Sequence, residues 1–177
     1  MFQGRVLISL FVLAGVTSCY SGDFDPHVAA DDPAVRYTGR WNFDDPQAPW
    51  VGWQGSTVSV AFRGSGISAT VDFGDEGETL RVIVDGVPEE PARHVPGGKQ
   101  TIVIAADLDP AEEHIVTLMK EEYAYSNLEF HGFTLADGEL IELPPRPEMR
   151  IAFFGDSNTE GFSLYNEKNE GGNGTYF

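Results

Sequence analysis

The residues best suited to chemistry lie near the end of the 177-residue chain, in the run RIAFFGDSNTEGFSLY at 150–165. Ser157 stands where an apolar run gives way, through Gly155 and Asp156, to a polar segment that opens with Asn158 and Thr159 and holds Gly161. That is the pattern of a strand handing a serine to the start of a helix. Free backbone N–H groups and the positive end of the helix dipole gather at such a turn, where they stabilise negative charge developing on a substrate oxygen. Gly155 permits a tight turn and close approach of a ligand to the backbone. Asp156 can orient the turn by accepting from backbone N–H groups, and Asn158 and Thr159 suit helix-cap positions. The chemistry implied is attack of the Ser157 hydroxyl on a carbonyl carbon.

The elements that must position this serine divide into two kinds. MRIAFF at 149–154 is apolar throughout except for Arg150, as in a parallel strand buried on both faces. It follows LPPRPEM at 143–149, where three prolines in four residues cannot continue a sheet and stiffen the connection. Upstream the grammar is that of short alternating strands. STVSVAFR at 56–63 puts Val58, Val60 and Phe62 on one face, and GISATVDF at 66–73 does the same with Ile67, Ala69, Val71 and Phe73. The intervening GSG is expected to form a tight hairpin turn. LRVIVDGV, QTIVIAA, HIVTLMK, LEFHGFTLA and GELIEL continue the series, with Asp85-Gly86 as a turn. LDPAEEH is expected to make one helical turn, capped by Asp109 with Pro110 first inside. The predicted fold class is mostly β: a jelly-roll sandwich over 36–143, a linker at 144–148, and from 149 to 177 the first βα unit of an α/β domain.

A net charge of −17 repels nucleic acid and anionic lipid headgroups, so nucleic-acid partners are excluded. The start of the chain reads as an export signal. One basic residue, Arg5, precedes VLISLFVLAGV at 6–16, too short for a membrane span and suited to a signal-peptide core. VTSC at 16–19 resembles a bacterial lipobox, and Cys19 is the only cysteine of the chain. The resemblance implies a signal peptide over 1–18, lipidation of Cys19, and an exported, membrane-anchored lipoprotein of the periplasm or cell surface. Residues 19–35, polar and carrying two prolines, are expected to tether the anchor to the sandwich.

Trp41, Trp50 and Trp53 cluster before the first clear strand, where they suit either sandwich packing or a platform for stacking sugar rings. Trp50 is the one expected at the surface, because PQAPWVG reads as a loop. His114 and His131 are expected to be structural, and KEEY at 120–123 to be a solvated strand end.

With these residues in view, Gly155, Asp156, Ser157, Asn158, Thr159 and Gly161 resemble the first motif block of SGNH (GDSL-type) hydrolases, whose serine is the nucleophile. WQGSTVSVAFRGSGI, VIVDG, HIVTLMKEE and FHGFTL, followed by the apolar strand into GDS, are similar in order to family 2 carbohydrate esterases. Those enzymes join an N-terminal jelly roll to an SGNH domain and remove acetyl groups from polysaccharides such as xylan and glucomannan. The resemblance covers about residues 36–165 and implies that Ser157 is the nucleophile and gives its own N–H to the oxyanion hole. It implies no metal and no organic cofactor. The family's later glycine and asparagine oxyanion donors have no counterpart at matching positions. His27, His94, His114 and His131 all precede Ser157, and none stands in the family's Asp-x-x-His setting. Serine without a base is a poor nucleophile at neutral pH. The expectation is therefore a C-terminally truncated chain of an acetylxylan esterase-like enzyme. Two alternatives stay open: a non-catalytic carbohydrate-binding or structural sandwich, and an SGNH lipase or thioesterase.

Overall fold

A computed structural model describes residues 26–75, 77–121 and 126–149. Ser157 with its motif neighbours Gly155, Asp156, Asn158, Thr159 and Gly161, the following βα unit, Cys19 and the signal segment all lie outside the described residues.

The described chain forms two antiparallel sheets. One contains β1 (His27–Val28), β3 (Trp50–Val51), β5 (Ile67–Asp72), β9 (Lys99–Ala105) and β11 (Leu128–Leu135), in the order β1-β11-β5-β9, with β3 sharing the β11 edge with β1. The other contains β2 (Arg36–Thr38), β4 (Thr57–Arg63), β6 (Glu78–Val84), β7 (Val87–Pro88), β8 (Arg93–Val95), β10 (His114–Lys120) and β12 (Glu139–Ile141), built on β12-β4-β10-β6-β7. The longer strands from β9 to β12 alternate between the sheets, as do β4, β5 and β6, which is how a jelly roll winds. No helix occurs among the described residues.

The core follows from the period-2 pattern. Val58, Val60, Phe62, Leu80, Val82, Val116 and Leu118 face inward from the seven-stranded sheet; Ile67, Ala69, Val71, Leu128, Phe130 and Phe133 meet them from the other. Alternation in β11 is broken once. Phe130 pairs with Val71 and Gly132 with Thr70, so His131 is an extra residue, a bulge. The bulge lets Phe130 and Phe133, three apart, both enter the core, where their rings meet edge to face at 4.8 Å. Gly132 has φ +118°, and a Cβ there would strike the Val28 carbonyl oxygen.

Several expectations are corrected. GSG does not join a hairpin: β4 and β5 belong to different sheets, and Gly64–Gly66 is a corner between them. Both strands turn their apolar faces to one core from opposite sides, so they cannot also pair. Asp137 ties the corner by accepting from Ser65 N–H at 2.6 Å and Ser65 Oγ–H at 2.8 Å, bonds that hold its carboxyl below the usual range. The sandwich includes residues ahead of Arg36, because β1 pairs with β11 and Val28, Ala30 and Val35 are buried. LDPAEEH forms a turn rather than a helical turn, although Asp109 does accept from Ala111 N–H at 3.0 Å. Asp85-Gly86 forms the expected turn, here a tight hairpin with φ of 52° and 78° that joins β6 to β7. The proline-rich segment is pinned to β2: Arg36 donates to the Leu143 carbonyl, and Arg146 to the Tyr37 carbonyl at 2.7 Å and Thr38 Oγ1 at 3.1 Å.

Candidate functional site

Strand register sets a row of side chains across the outer face of the five-stranded sheet. Trp50 on β3 lies opposite Glu129 on β11, Glu129 opposite Asp72 on β5, and Asp72 opposite Lys99 on β9. Trp50, Glu129 and Asp72 occupy outward positions, because their strand neighbours Val51, Leu128, Phe130 and Val71 are fully buried, and Lys99 at the start of β9 is exposed. Three inter-strand steps make the row about 14 Å long. The bulge adds His131 beside it.

Two shallow cavities flank the row and share Glu129. One, of about 540 Å³, is lined by Trp50, Asp72, Asp75, Ser126, Asn127 and Glu129 together with Phe73 and Gly74. The other, of about 570 Å³, lies along Thr70, Lys99, Glu129 and His131 towards His27 and the loop at Asp45, Gln47 and Ala48. Each is within the size range of small-ligand sites. Together they form a trough along the sheet with an aromatic ring at one end.

The polar groups have defined roles. Lys99 Nζ lies 3.1 Å from His131 Nδ1. An ammonium carries only donors, so Nδ1 accepts and the ring proton sits on Nε2. Nε2 lies 2.8 Å from Glu129 Oε1, without the alignment of a hydrogen bond. Asp72 and Glu129 present two carboxylates at one cross-strand position, an arrangement that costs a sheet stability. Asp72, Glu129 and His131 hold donor atoms within 4.8 Å of one another, the group among the described residues with the spacing to ligate a cation. The Lys99 ammonium on the same imidazole already sets a fixed positive charge beside them.

Behind the trough, charge is buried and paired. Lys120 and Glu78, both fully buried, form an ion pair at 3.0 Å, and Ser126 Oγ–H donates to Glu78 Oε2 at 2.6 Å. Arg81 pairs with buried Glu121 and with Glu90 at 2.8 Å. Burial alone would lower the Arg81 pKa; its hydrogen bonds to Glu121 and Glu90 raise it instead. This corrects the reading of KEEY as a solvated strand end, at least for Lys120 and Glu121. Lys120 continues the inward-facing series of His114, Val116 and Leu118, so the period of β10 carries it into the interior. Glu122 and Tyr123 lie outside the described residues.

His114 is structural, as expected. Nδ1 lies 2.9 Å from Asp85 Oδ2 and Nε2 lies 2.9 Å from the Asp109 carbonyl oxygen. Both nitrogens face acceptors, so the geometry demands the doubly protonated ring. The hydrogen bond to Asp85 is the main cause of its raised pKa. His131 instead faces outward into the trough. Of the tryptophans, Trp41 packs edge-on against Tyr37 at 4.9 Å, beside the core. Trp50 is 38% exposed on a short strand rather than a loop, and Trp53, 51% exposed under Arg40, is the more exposed of the pair. Sequence reasoning missed Asp72, Lys99, Asn127 and Glu129. The signal for the bulge was present: a glycine inside an alternating strand, with phenylalanines three apart.

Comparison with known proteins bears directly on this module. The family model described as "Carbohydrate esterase 2 N-terminal" matches residues 37–145. The chain belongs to the carbohydrate esterase 2 family. A curated relative, the cellulase/esterase CelE of Acetivibrio thermocellus, is 34% identical over 129 residues, covering 73% of this chain and 16% of the relative. An acetylxylan esterase/glucomannan deacetylase of Cellvibrio japonicus is 23% identical over 137 residues, covering 77% of this chain and 38% of that one. Among solved structures, a family two carbohydrate esterase from Clostridium thermocellum in complex with cellohexaose superposes with a TM-score of 0.65 at 32% identity, covering 73% of this chain and 39% of that one. The chain thus spans well under half the length of the relatives it matches, and the match falls on the sandwich.

Proposed function

We propose that this carbohydrate esterase 2 chain serves removal of O-acetyl groups from plant-type polysaccharides by a serine acyl-enzyme mechanism. The observation that carries the reading is order along the chain: a family-matched sandwich at 37–145, then a proline segment, then an apolar run into Gly155-Asp156-Ser157. The esterase and deacetylase names of the relatives support the substrate class. In the proposed reaction, Ser157 Oγ attacks the acetyl carbonyl and gives its proton to a general base. The tetrahedral oxyanion is held by the Ser157 N–H, and the sugar hydroxyl leaves with that proton. Water then attacks the acetyl-serine ester and acetate departs. The base is none of the four histidines of this sequence: His114 is committed to Asp85 and Asp109, and none of the four stands in the family's Asp-x-x-His setting.

The protein would work outside the cytoplasm, anchored through Cys19, with acetylated polysaccharide as its partner. Acetate release from acetylated xylan or glucomannan by the full-length protein tests the chemistry. Ser157→Ala should reduce release to background, whereas an unchanged rate removes the assignment. Cys19→Ala should move the protein from the membrane fraction to the soluble one; a variant that stays with the membrane contradicts the anchor.

A further inference from the structure

The outer-face trough combines four observations that no catalytic role of Ser157 explains. An aromatic ring stands at one end of a straight row of hydrogen-bonding side chains, fixed by register across four strands. Two carboxylates are set opposite each other at a cost to the sheet, offset in part where Asp72 Oδ1 accepts from Gly74 N–H at 2.7 Å. A β-bulge, a device that re-aims side chains, delivers His131 to the same place and leaves its Nε2 proton without an aligned acceptor. Shallow cavities on either side meet at Glu129.

We infer that this trough binds a neutral glycan chain, with a sugar ring stacked on Trp50 and hydroxyl groups held by Asn127, Glu129, Asp72 and Lys99. The class of ligand rests on the esterase reading above; the site does not. Carboxylates accept from hydroxyl groups, two oxygens serving neighbouring hydroxyls, and the amide and ammonium donate to them. An indole face takes the apolar side of a pyranose. Asp72, Asp75 and Glu129 around a single lysine repel polyanionic chains, so a neutral polysaccharide is selected over a pectate-like one. The row is open at both cavities, so it accommodates an interior stretch of a polymer rather than only a chain end. The trough thus gives the protein a hold on the polysaccharide that is separate from the nucleophile.

The test is affinity electrophoresis of the full chain in gels holding glucomannan, unsubstituted xylan or polygalacturonate, with titration calorimetry against cellohexaose. Retardation is expected with the neutral polymers and not with polygalacturonate. Trp50→Ala should weaken retention about tenfold, and Glu129→Gln about fivefold. Trp50→Tyr, which keeps a platform, should retain most of the binding and guards against a folding defect. Trp53→Ala, outside the trough, and Ser157→Ala should leave retention unchanged, as should EDTA. The inference is overturned by absence of retention, by equal effects of Trp50→Ala and Trp53→Ala, by loss of retention in Ser157→Ala, or by its loss in EDTA. Failure of the esterase reading looks different: no acetate is released, while retention still follows Trp50.

Discussion

Two groups of charged side chains differ in kind, and Ser126 touches both sides: it donates to buried Glu78 and lines the cavity beside Asp72 and Glu129. On the seven-stranded side, Lys120 with Glu78 and Arg81 with Glu121 are buried and joined as opposite charges. On the five-stranded side, Asp72 and Glu129 stand at the surface as like charges on one register position. Both departures from a simple apolar-in, polar-out rule cost free energy, but the costs differ in kind. Buried opposite charges are offset by each other, and the fold depends on neither being removed. The half-buried like charges are offset only locally, by Lys99 and His131 and by the Gly74 N–H that Asp72 Oδ1 accepts at 2.7 Å. The first group holds the module together; the second holds hydrogen-bonding capacity available to a ligand.

The largest expected effect breaks the buried group. Lys120→Met leaves the Glu78 carboxylate inside without its partner, and should lower stability in urea unfolding by about 3–5 kcal/mol. A loss below about 1 kcal/mol would mean that the pair is not buried as described. Next is the bulge. Gly132→Ala places a side chain at φ +118° against the Val28 carbonyl, and should cost about 2 kcal/mol while displacing His131 and weakening glycan retention. A stable Gly132→Ala protein with full retention would separate the bulge from the site.

His114 gives a smaller, pH-dependent effect. Its folded pKa is raised above 6.5 by Asp85, so its stabilisation is fully present below the unfolded value and is lost as pH rises through the folded one. The pKa of Asp85 is lowered: burial alone would raise it, but the hydrogen bonds from His114 and Ile115 N–H outweigh that. Its contribution is present above the unfolded value and is lost as pH falls through the folded one. The stability difference between wild type and His114→Asn should be greatest between about pH 4 and 6.5, on the order of 1 kcal/mol because Asp85 is nearly half exposed, and should narrow above that window. A difference that grows with alkalinity would contradict the charged-ring geometry. The smallest effect is the most discriminating. Asp72→Asn removes a like-charge contact, so it should raise stability by up to about 0.5 kcal/mol while weakening retention on neutral glycan. A drop in stability would assign Asp72 to the first group rather than the second.

The inner faces were legible because burial imposes a strict period. Val58, Val60 and Phe62 in β4, Ile67, Ala69 and Val71 in β5, and Val116 and Leu118 in β10 follow alternation without interruption. Lys120 obeys the same period and was misread only because its charge suggested solvent; its partner Glu78 is 42 residues away and invisible to local reasoning. GSG carried the glycines of a turn, but a turn between paired strands and a corner between sheets draw on the same residues. The difference lies in Asp137, over seventy residues on. Trp50 was expected at the surface, as a candidate sugar contact, from its type and neighbours. The residues completing its row come from three further strands, and only their register, including the bulge at His131, brings them together. The GDS motif lies outside the described residues, and its reading rests on its own residue types and their order after the sandwich.

The most direct test compares acetate release from acetylated glucomannan with hydrolysis of 4-nitrophenyl acetate by the full-length protein and two variants. The account predicts that Ser157→Ala loses both activities to background, and that Trp50→Ala loses about tenfold in kcat/KM on the polymer while keeping the small ester. Retention of acetate release by Ser157→Ala, or equal losses on both substrates in Trp50→Ala, would contradict it.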